Sequence, residues 1–362
     1  MHPDVLIVPE QLHARVPGGI GVYTRHVVSE LVQLCETQSI SVEIYGSRKT
    51  GKLDPFEAFG VPVSYAWLPS RYLIPLWDHK LIMSPSAKRI QLSFSMAGPI
   101  PKGKVRNAFA IYDLSFRRYP QTMTARGVNW HEARLRAIQQ SGSFVIAISE
   151  QTVSELIEVG FDRELICLAP PGADHIAEPD FLAAAKLLAQ HGVDKPFLIS
   201  IGTLEPRKNL PRVFEAFTHY RLASRSEIQL LVVGPDGWGE NLLPRDGIIF
   251  TGKVTDELLA GLLSMSAALV YVPLYEGFGL PPLEAMARSV PVVASPMPST
   301  SHGYAIIVDP TSVTDIARGI DEVLSSSVHS AELVVQGLDF ANQMTWKNTA
   351  HKIFEDLVTR EI

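Results

Sequence analysis

A chain of 362 residues is longer than one ordinary hydrophobic core needs and points to two domains of roughly 150–200 residues each. Its 46% hydrophobic and 19% charged residues fit a soluble globular protein, and a formal charge of −6 excludes the basic footprint of a nucleic-acid binder. Cys35 and Cys167 lie far apart, without CxxC or Cys/His spacing, so they read as buried thiols in a reducing compartment rather than as a metal site or a disulfide.

The start, Met1-His-Pro-Asp-Val-Leu-Ile-Val-Pro, lacks a basic segment ahead of a long apolar stretch. It reads as a first buried strand, Val5–Val8, and not as a signal peptide. No apolar run reaches the ~20 residues of a membrane span, and the chain reads as cytoplasmic. Gly21 to Leu34 has the spacing of an amphipathic helix and Ser41–Tyr45 that of a second strand. The stretch from Lys49 to Lys104, rich in Pro and aromatics, has no clear assignment. Phe109–Ile111 and Phe144–Ile148 are further strands, the latter entering a helix capped by Ser149.

Around Ala169-Pro-Pro-Gly-Ala-Asp174 the pattern breaks, and a polar, Ala-rich stretch up to Pro196 reads as the domain linker. The cycle then restarts with strands Phe197–Ile201, Gln229–Val233, Ile248–Phe250, Ala268–Val272, Val290–Ala294 and Ile306–Val308. The clearest helices are Leu210–Leu222, Asp256–Met265 and Pro282–Arg288, and Trp346 to Arg360 is strongly amphipathic. Short apolar runs alternating with helices imply an α/β chain of two doubly wound domains, residues 1–175 and 190–345, with the C-terminal helix 346–362 packing back on the first. Ligands of such sheets bind at the carboxyl ends of the strands.

Three motifs stand at such ends. Val16-Pro-Gly-Gly-Ile-Gly-Val-Tyr, with Gly18, Gly19 and Gly21, reads equally as a plain turn or as a phosphate or sugar contact at a helix start. It lacks the spacing of a dehydrogenase fingerprint. In Ile201-Gly-Thr-Leu-Glu-Pro-Arg-Lys-Asn209, Arg207 and Lys208 are either a solvated basic pair or, at a strand's carboxyl end, the cations for a diphosphate. Glu205 either orients one of them or pairs with a helix. In Tyr275-Glu-Gly-Phe-Gly-Leu-Pro-Pro-Leu-Glu-Ala-Met-Ala, Glu276 falls on a loop and Glu284 in the first turn of a helix. Two acids around a glycine turn and a helix start suit an anionic, hydroxyl-rich ligand such as a sugar nucleotide.

The second and third motifs together resemble the GT-B-fold retaining glycosyltransferases of family 4 (glycosyl transferases group 1), with their acid–seven residues–acid pattern. Pro17-Gly-Gly-Ile-Gly-Val-Tyr, Ile148-Ser-Glu and Pro171-Gly-Ala-Asp174 extend the likeness over nearly the whole chain. Ile111-Tyr-Asp-Leu-Ser-Phe and the Arg-Lys-Asn context look closest to bacterial mannosyl- and rhamnosyltransferases of surface polysaccharide assembly. The resemblance implies two domains facing each other across a cleft, the first binding the acceptor and the second the donor.

The resemblance also implies roles. Arg207 and Lys208 would hold the donor diphosphate, and Glu276 would face the transferred sugar. The amides of Gly277, Phe278, Gly279 and Leu280 would bind sugar hydroxyls and phosphates, Glu284 the ribose, and Lys253 and Val254 the base. Gly19, Gly202 and Thr203 would complete the donor site, and Tyr112 and Asp113 would touch sugar or acceptor. Tyr112 stands where the family usually has histidine. The segment Pro296-Met-Pro-Ser-Thr-Ser-His-Gly-Tyr304 is shorter than usual and lacks the family's Pro-Glu pair.

No Asp-x-Asp motif is present, and with Arg and Lys on the phosphates neither a metal nor a cofactor is expected. The donor expected is a nucleoside diphosphate sugar, GDP-mannose first. The acceptor would be a glycan or lipid-linked oligosaccharide, which places the protein in the cytoplasm at the inner face of the cytoplasmic membrane. Trp67, Arg71, Tyr72, Trp77 and Arg89 read either as core packing or as contacts to a glycan or membrane surface. Oligomeric state is unreadable. Two other functions stand beside transfer: an inactive paralogue serving as a scaffold, and a sugar-nucleotide 2-epimerase on the same fold.

Overall fold

The computed structural model describes residues 3–14, 16–48, 54–82, 84–101, 105–238, 242 and 245–360, with Ser327 described by its backbone alone. The chain divides into two compact units, Met1–Gly172 with Trp346–Ile362, and Ala173–Thr345.

The first unit contains strands β1 (Val5–Val8), β2 (Val42–Gly46), β3 (Val63–Tyr65), β4 (Ile90–Ser93), β5 (Arg106–Ile111), β6 (Phe144–Ala147) and β7 (Ile166–Leu168). Helices α1 (Gly18–Thr37), α2 (Ser70–Asp78), α3 (Ser115–Arg118), α4 (Ala125–Gln140) and α5 (Glu150–Glu158) alternate with them. The strands pair in parallel in the order β3-β2-β1-β4-β5-β6-β7. A parallel sheet covered on both faces wants continuous apolar strands, and β1, Val-Leu-Ile-Val, is wholly buried.

Several elements depart from the sequence reading. Helix α1 begins at Gly18, three residues before the expected start, and Gly18 itself takes a left-handed φ of +60° after Pro17. Side chains at Gly21 are excluded, since a Cβ there would overlap Pro17. The unassigned stretch 49–104 holds β3, α2 and β4 among its described residues; 49–53, 83 and 102–104 lie outside them. Strand β4 escapes pattern reading because its Gln91 is buried yet satisfied. Its amide donates to the Pro99 carbonyl (2.6 Å) and accepts from Ser84 Oγ (2.7 Å). The Ser149 cap is present, accepting from Thr152 N at 3.1 Å.

The second unit contains α6 (Phe181–Gln190), β8 (Phe197–Ile201), α7 (Leu210–Ser224), β9 (Gln229–Val233), β10 (Ile248–Gly252), α8 (Asp256–Met265) and β11 (Ala268–Tyr271). It continues with α9 (Leu280–Met286), β12 (Val292–Ala294), β13 (Ile306–Ile307), α10 (Val313–Ser325) and α11 (Ser327–Gln343). Its strand order is β10-β9-β8-β11-β12-β13, so the winding reverses between β8 and β11.

The Ala-rich stretch read as linker is instead α6, an integral helix of this unit. Asp180 caps it through Ala183 N (2.8 Å), and Gly261 of α8 lies so near the Asp180 carbonyl that a Cβ would sit 2.7 Å from it. The chain then returns to the first unit in α12 (Trp346–Ile353), which gives way to a π-helical turn at Phe354–Val358 rather than continuing to Arg360. Trp346 stacks on His26 (5.4 Å) and meets Tyr23 edge-on (5.6 Å), seating α12 against α1. Among the described residues no helix is long and apolar enough to cross a membrane.

Candidate active site

The reversal between β8 and β11 opens the place where such sheets bind ligands. Both segments singled out in the second half of the chain meet there. After β8, Gly202 takes a φ of +144°, and a Cβ on it would sit 3.3 Å from Lys208 Cε, so glycine keeps the lysine stem close. The chain turns through Pro206–Lys208 into Asn209, which adopts φ +60° at the head of α7. Its buried amide donates to the carbonyls of Val272 (3.1 Å) and Pro310 (2.8 Å). Leu274 N donates to Arg207 O at 2.9 Å, so the loops after β8 and β11 are joined by their backbones.

Within that frame Glu276 Oε1 accepts hydrogen bonds from Lys208 and Tyr271 and is ion-paired with Arg207. Lys208 Nζ lies at 2.5 Å, Arg207 Nη1 at 2.9 Å and the Tyr271 hydroxyl at 2.9 Å. Lys208 also donates to Tyr271 Oη (2.7 Å). Arg207 is steered by the Tyr275 carbonyl (2.9 Å) and by Glu205 (2.7 Å), which decides the open role of Glu205 in favour of orienting the arginine. Burial alone would raise the Glu276 carboxyl, but Lys208 and then Arg207 overcome it and hold it down to about 2. Tyr271 is pushed up, first by burial and then by the Glu276 charge, so it remains a neutral donor. A cavity of about 10 Å³ beside Lys208 and Tyr271 is lined also by Ser200, Gly202 and Leu210.

Sequence reading sets cations and Glu276 at opposite ends of a ligand. The structure joins them in one cluster, because the backbone hydrogen bond from Leu274 N to Arg207 O ties the β8 and β11 loops together. Gly277, Phe278 and Gly279 are buried behind Glu276. Gly279 has φ +95°, and a Cβ there would overlap Met297 Sδ and Ser299 Oγ. The short segment after β12 is thus the wall behind the glycine turn, with Ser299 N donating to Phe278 O at 3.0 Å.

Helix α9 begins Leu280-Pro281-Pro282, so two of its first three positions carry no N–H. The expected array of free amides at that helix start is therefore mostly absent, and donors must come from the loop. Glu284 lies one residue past the first turn, with Oε1 3.2 Å from Nε2 of His175. Thr203 is half-buried beside Gly202, and Lys253 and Val254 follow the exposed, left-handed Gly252 (φ +70°) at the end of β10.

The remaining candidates belong to the first unit. Gly19 sits in the first turn of α1. Tyr112 donates to the Phe94 carbonyl (3.0 Å), lies 3.4 Å from Thr24 Oγ1 and meets Tyr23 edge-on at 5.4 Å; burial pushes its hydroxyl pKa up. Asp113 accepts from Ser115 N (2.9 Å) at the start of α3. Sequence reasoning missed Tyr271, His175 and Asn209. A tyrosine at the last position of a buried strand, where ligands bind, was the available signal for the first.

Residues 186–337 match the family described as glycosyl transferases group 1. The O-antigen chain mannosyltransferase B of Escherichia coli is 28% identical over 263 residues, 69% of each chain. The serotype-specific mannosyltransferase WbdA of Escherichia coli is 29% identical over 225 residues, 57% of this chain, which spans only 28% of that relative's length. Among solved structures, Anabaena HepE in complex with UDP and glucose is superposed with TM-score 0.72 at 15% identity, covering 99% of this chain and all of that one. WaaG, a glycosyltransferase involved in lipopolysaccharide biosynthesis, gives TM-score 0.68 at 15% identity, covering 98% and 100%. The fold is thus that of the GT-B glycosyltransferases, two Rossmann-like domains with parallel sheets, as the motifs implied.

Proposed function

We propose that this protein is a retaining glycosyltransferase of family 4 that moves a hexose from a nucleoside diphosphate sugar to a glycan or lipid-linked oligosaccharide. Mannose, carried by GDP, is the first choice, in keeping with the mannosyltransferase relatives. One observation carries the reading: Arg207, Lys208 and Glu276 meet at the point where the donor-domain sheet reverses. Transfer develops positive charge at the sugar carbon and negative charge on the departing diphosphate. A guanidinium and an ammonium serve the second, and a carboxylate that stays ionised serves the first. With both cations supplied by side chains, the reaction should survive chelation of divalent metal ions.

Lys253 and Val254 are assigned to the base, Glu284 with His175 behind it to the ribose, and the loop amides of residues 277–280 to the sugar. Gly19, Gly202 and Thr203 are assigned to the rest of the donor site, and Tyr112 and Asp113 to the sugar or acceptor side. Trp67 and Tyr72, 74% and 53% exposed, flank Arg71, and we assign them to an anionic lipid surface at the inner membrane face. Flotation with anionic liposomes tests that assignment, and a protein left wholly in the soluble fraction refutes it. An epimerase would need a further acid/base pair, and the three-way cluster at Glu276 has no purpose in a scaffold.

The deciding assay offers GDP-, UDP- and dTDP-sugars with candidate acceptors. Free nucleotide plus an acceptor glycosylated with the donor's anomeric configuration supports the proposal. An isomerised donor indicates epimerisation, an inverted product removes the retaining mechanism, and no turnover with any donor favours the scaffold.

A further inference from the structure

We infer that Glu276 is the anion that a donor diphosphate must displace, and that its return to Arg207 and Lys208 expels the nucleoside diphosphate after transfer. The inference rests on the reading of this cluster as the diphosphate site.

The cations are consecutive and largely buried, with side-chain exposures of 19% and 14%, so their like charges need a counter-ion close by. Glu276 Oε1 supplies it to both, beside the Glu205 carboxylate that also pairs with Arg207: this single oxygen takes hydrogen bonds from Lys208 Nζ and the Tyr271 hydroxyl and the ion pair of Arg207 Nη1. A phosphate oxygen presents the same charge and lone pairs to the same donors, so phosphate and carboxylate compete for them. Binding is then an exchange of anions.

The displaced carboxylate sits on the loop leading into Gly277, outside any strand or helix, so its movement need not disturb the sheet. Tyr271 stays behind, because it is the last residue of β11, buried, with Lys208 Nζ 5.1 Å from its ring centroid. Its hydroxyl is a fixed donor to which the carboxylate returns, which makes Tyr271 a positioning residue. An internal anion of this kind weakens product binding, and product release is often the slow step of such enzymes.

The sign of the effect separates this role from a simple ligand contact. Glu276→Gln keeps the shape and removes the competing charge, so it should bind GDP, UDP or dTDP about tenfold more tightly than the wild type by titration calorimetry. Inorganic pyrophosphate should follow the same trend. Glu276→Asp retains the charge and should stay near the wild-type affinity. Equal or weaker binding by Glu276→Gln overturns the inference while leaving the donor reading intact, and so does equal tightening by Glu276→Asp. If neither the wild type nor Glu276→Gln binds any of the three nucleotides or pyrophosphate, the donor reading fails together with it.

Discussion

Lys208 and Glu276 form a contact in which each charge offsets the other's desolvation, and removing one leaves the partner buried and uncompensated. Glu276→Ala and Lys208→Ala should each lower turnover by about 100-fold or more, as expected when transition-state electrostatics are removed. Initial rates on the true donor and acceptor check this, and near-full activity in both variants would discard the site. The same pair sets an acid limit. Glu276 is held at about 2 against an ordinary 4.5, so its contribution to stability is complete above the ordinary value and is lost as pH falls toward 2. Denaturant titrations across that window should show the wild type losing stability more steeply than Glu276→Gln; parallel profiles would contradict the shift. Arg207, Lys208 and Glu276 were legible as charged residues at strand ends. Tyr271 was not, because in a strand of Ala, Leu and Val it counts as one more bulky apolar residue until its hydroxyl is seen 2.9 Å from an acid.

The informative elements are the connections at the carboxyl ends of β8 and β11. Gly279 combines a left-handed backbone with a filled neighbourhood, so Gly279→Ala brings both strain and overlap with Met297 and Ser299. It should cost about 1–3 kcal/mol by denaturant unfolding and reduce donor binding. An alanine variant with unchanged stability would show that the turn relaxes freely. Helices with a clear apolar stripe or a cap were readable, with Asp256–Met265 matching its full extent. Strands β3 and β7, at three residues each, and β4, with its buried glutamine, were not. Their sequences, Val-Ser-Tyr, Ile-Cys-Leu and Ile-Gln-Leu-Ser, form no continuous run of branched apolar residues like Val292-Val-Ala or Ile306-Ile, and sheet neighbours hold them in place. Helix α6 reads as linker because its stretch is polar and Ala-rich, and of its residues only Ala184 and Leu188 are buried.

On the scale of the whole molecule, the chain leaves its first unit at Gly172 and re-enters it at Trp346. Trp346 is 2% exposed, stacked on His26 and edge-on to Tyr23 of α1, so Trp346→Ala should cost about 3–5 kcal/mol in the first unit alone. Unfolding followed by two probes should show one transition moving and the other staying; a common shift would mean the units unfold as one. The linear order of residues by itself determined the doubly wound class, the repeated strand–helix cycle and the charged motifs at strand ends, because burial on both faces of a parallel sheet leaves continuous apolar runs that chemistry-bearing residues interrupt. Only the tertiary structure decided that Glu276 lies against Lys208 and Arg207, that Tyr271 and His175 join the two glutamates, and that α6 belongs to the second unit. Those facts depend on contacts between segments up to about a hundred residues apart, and no local pattern encodes a distance across the fold.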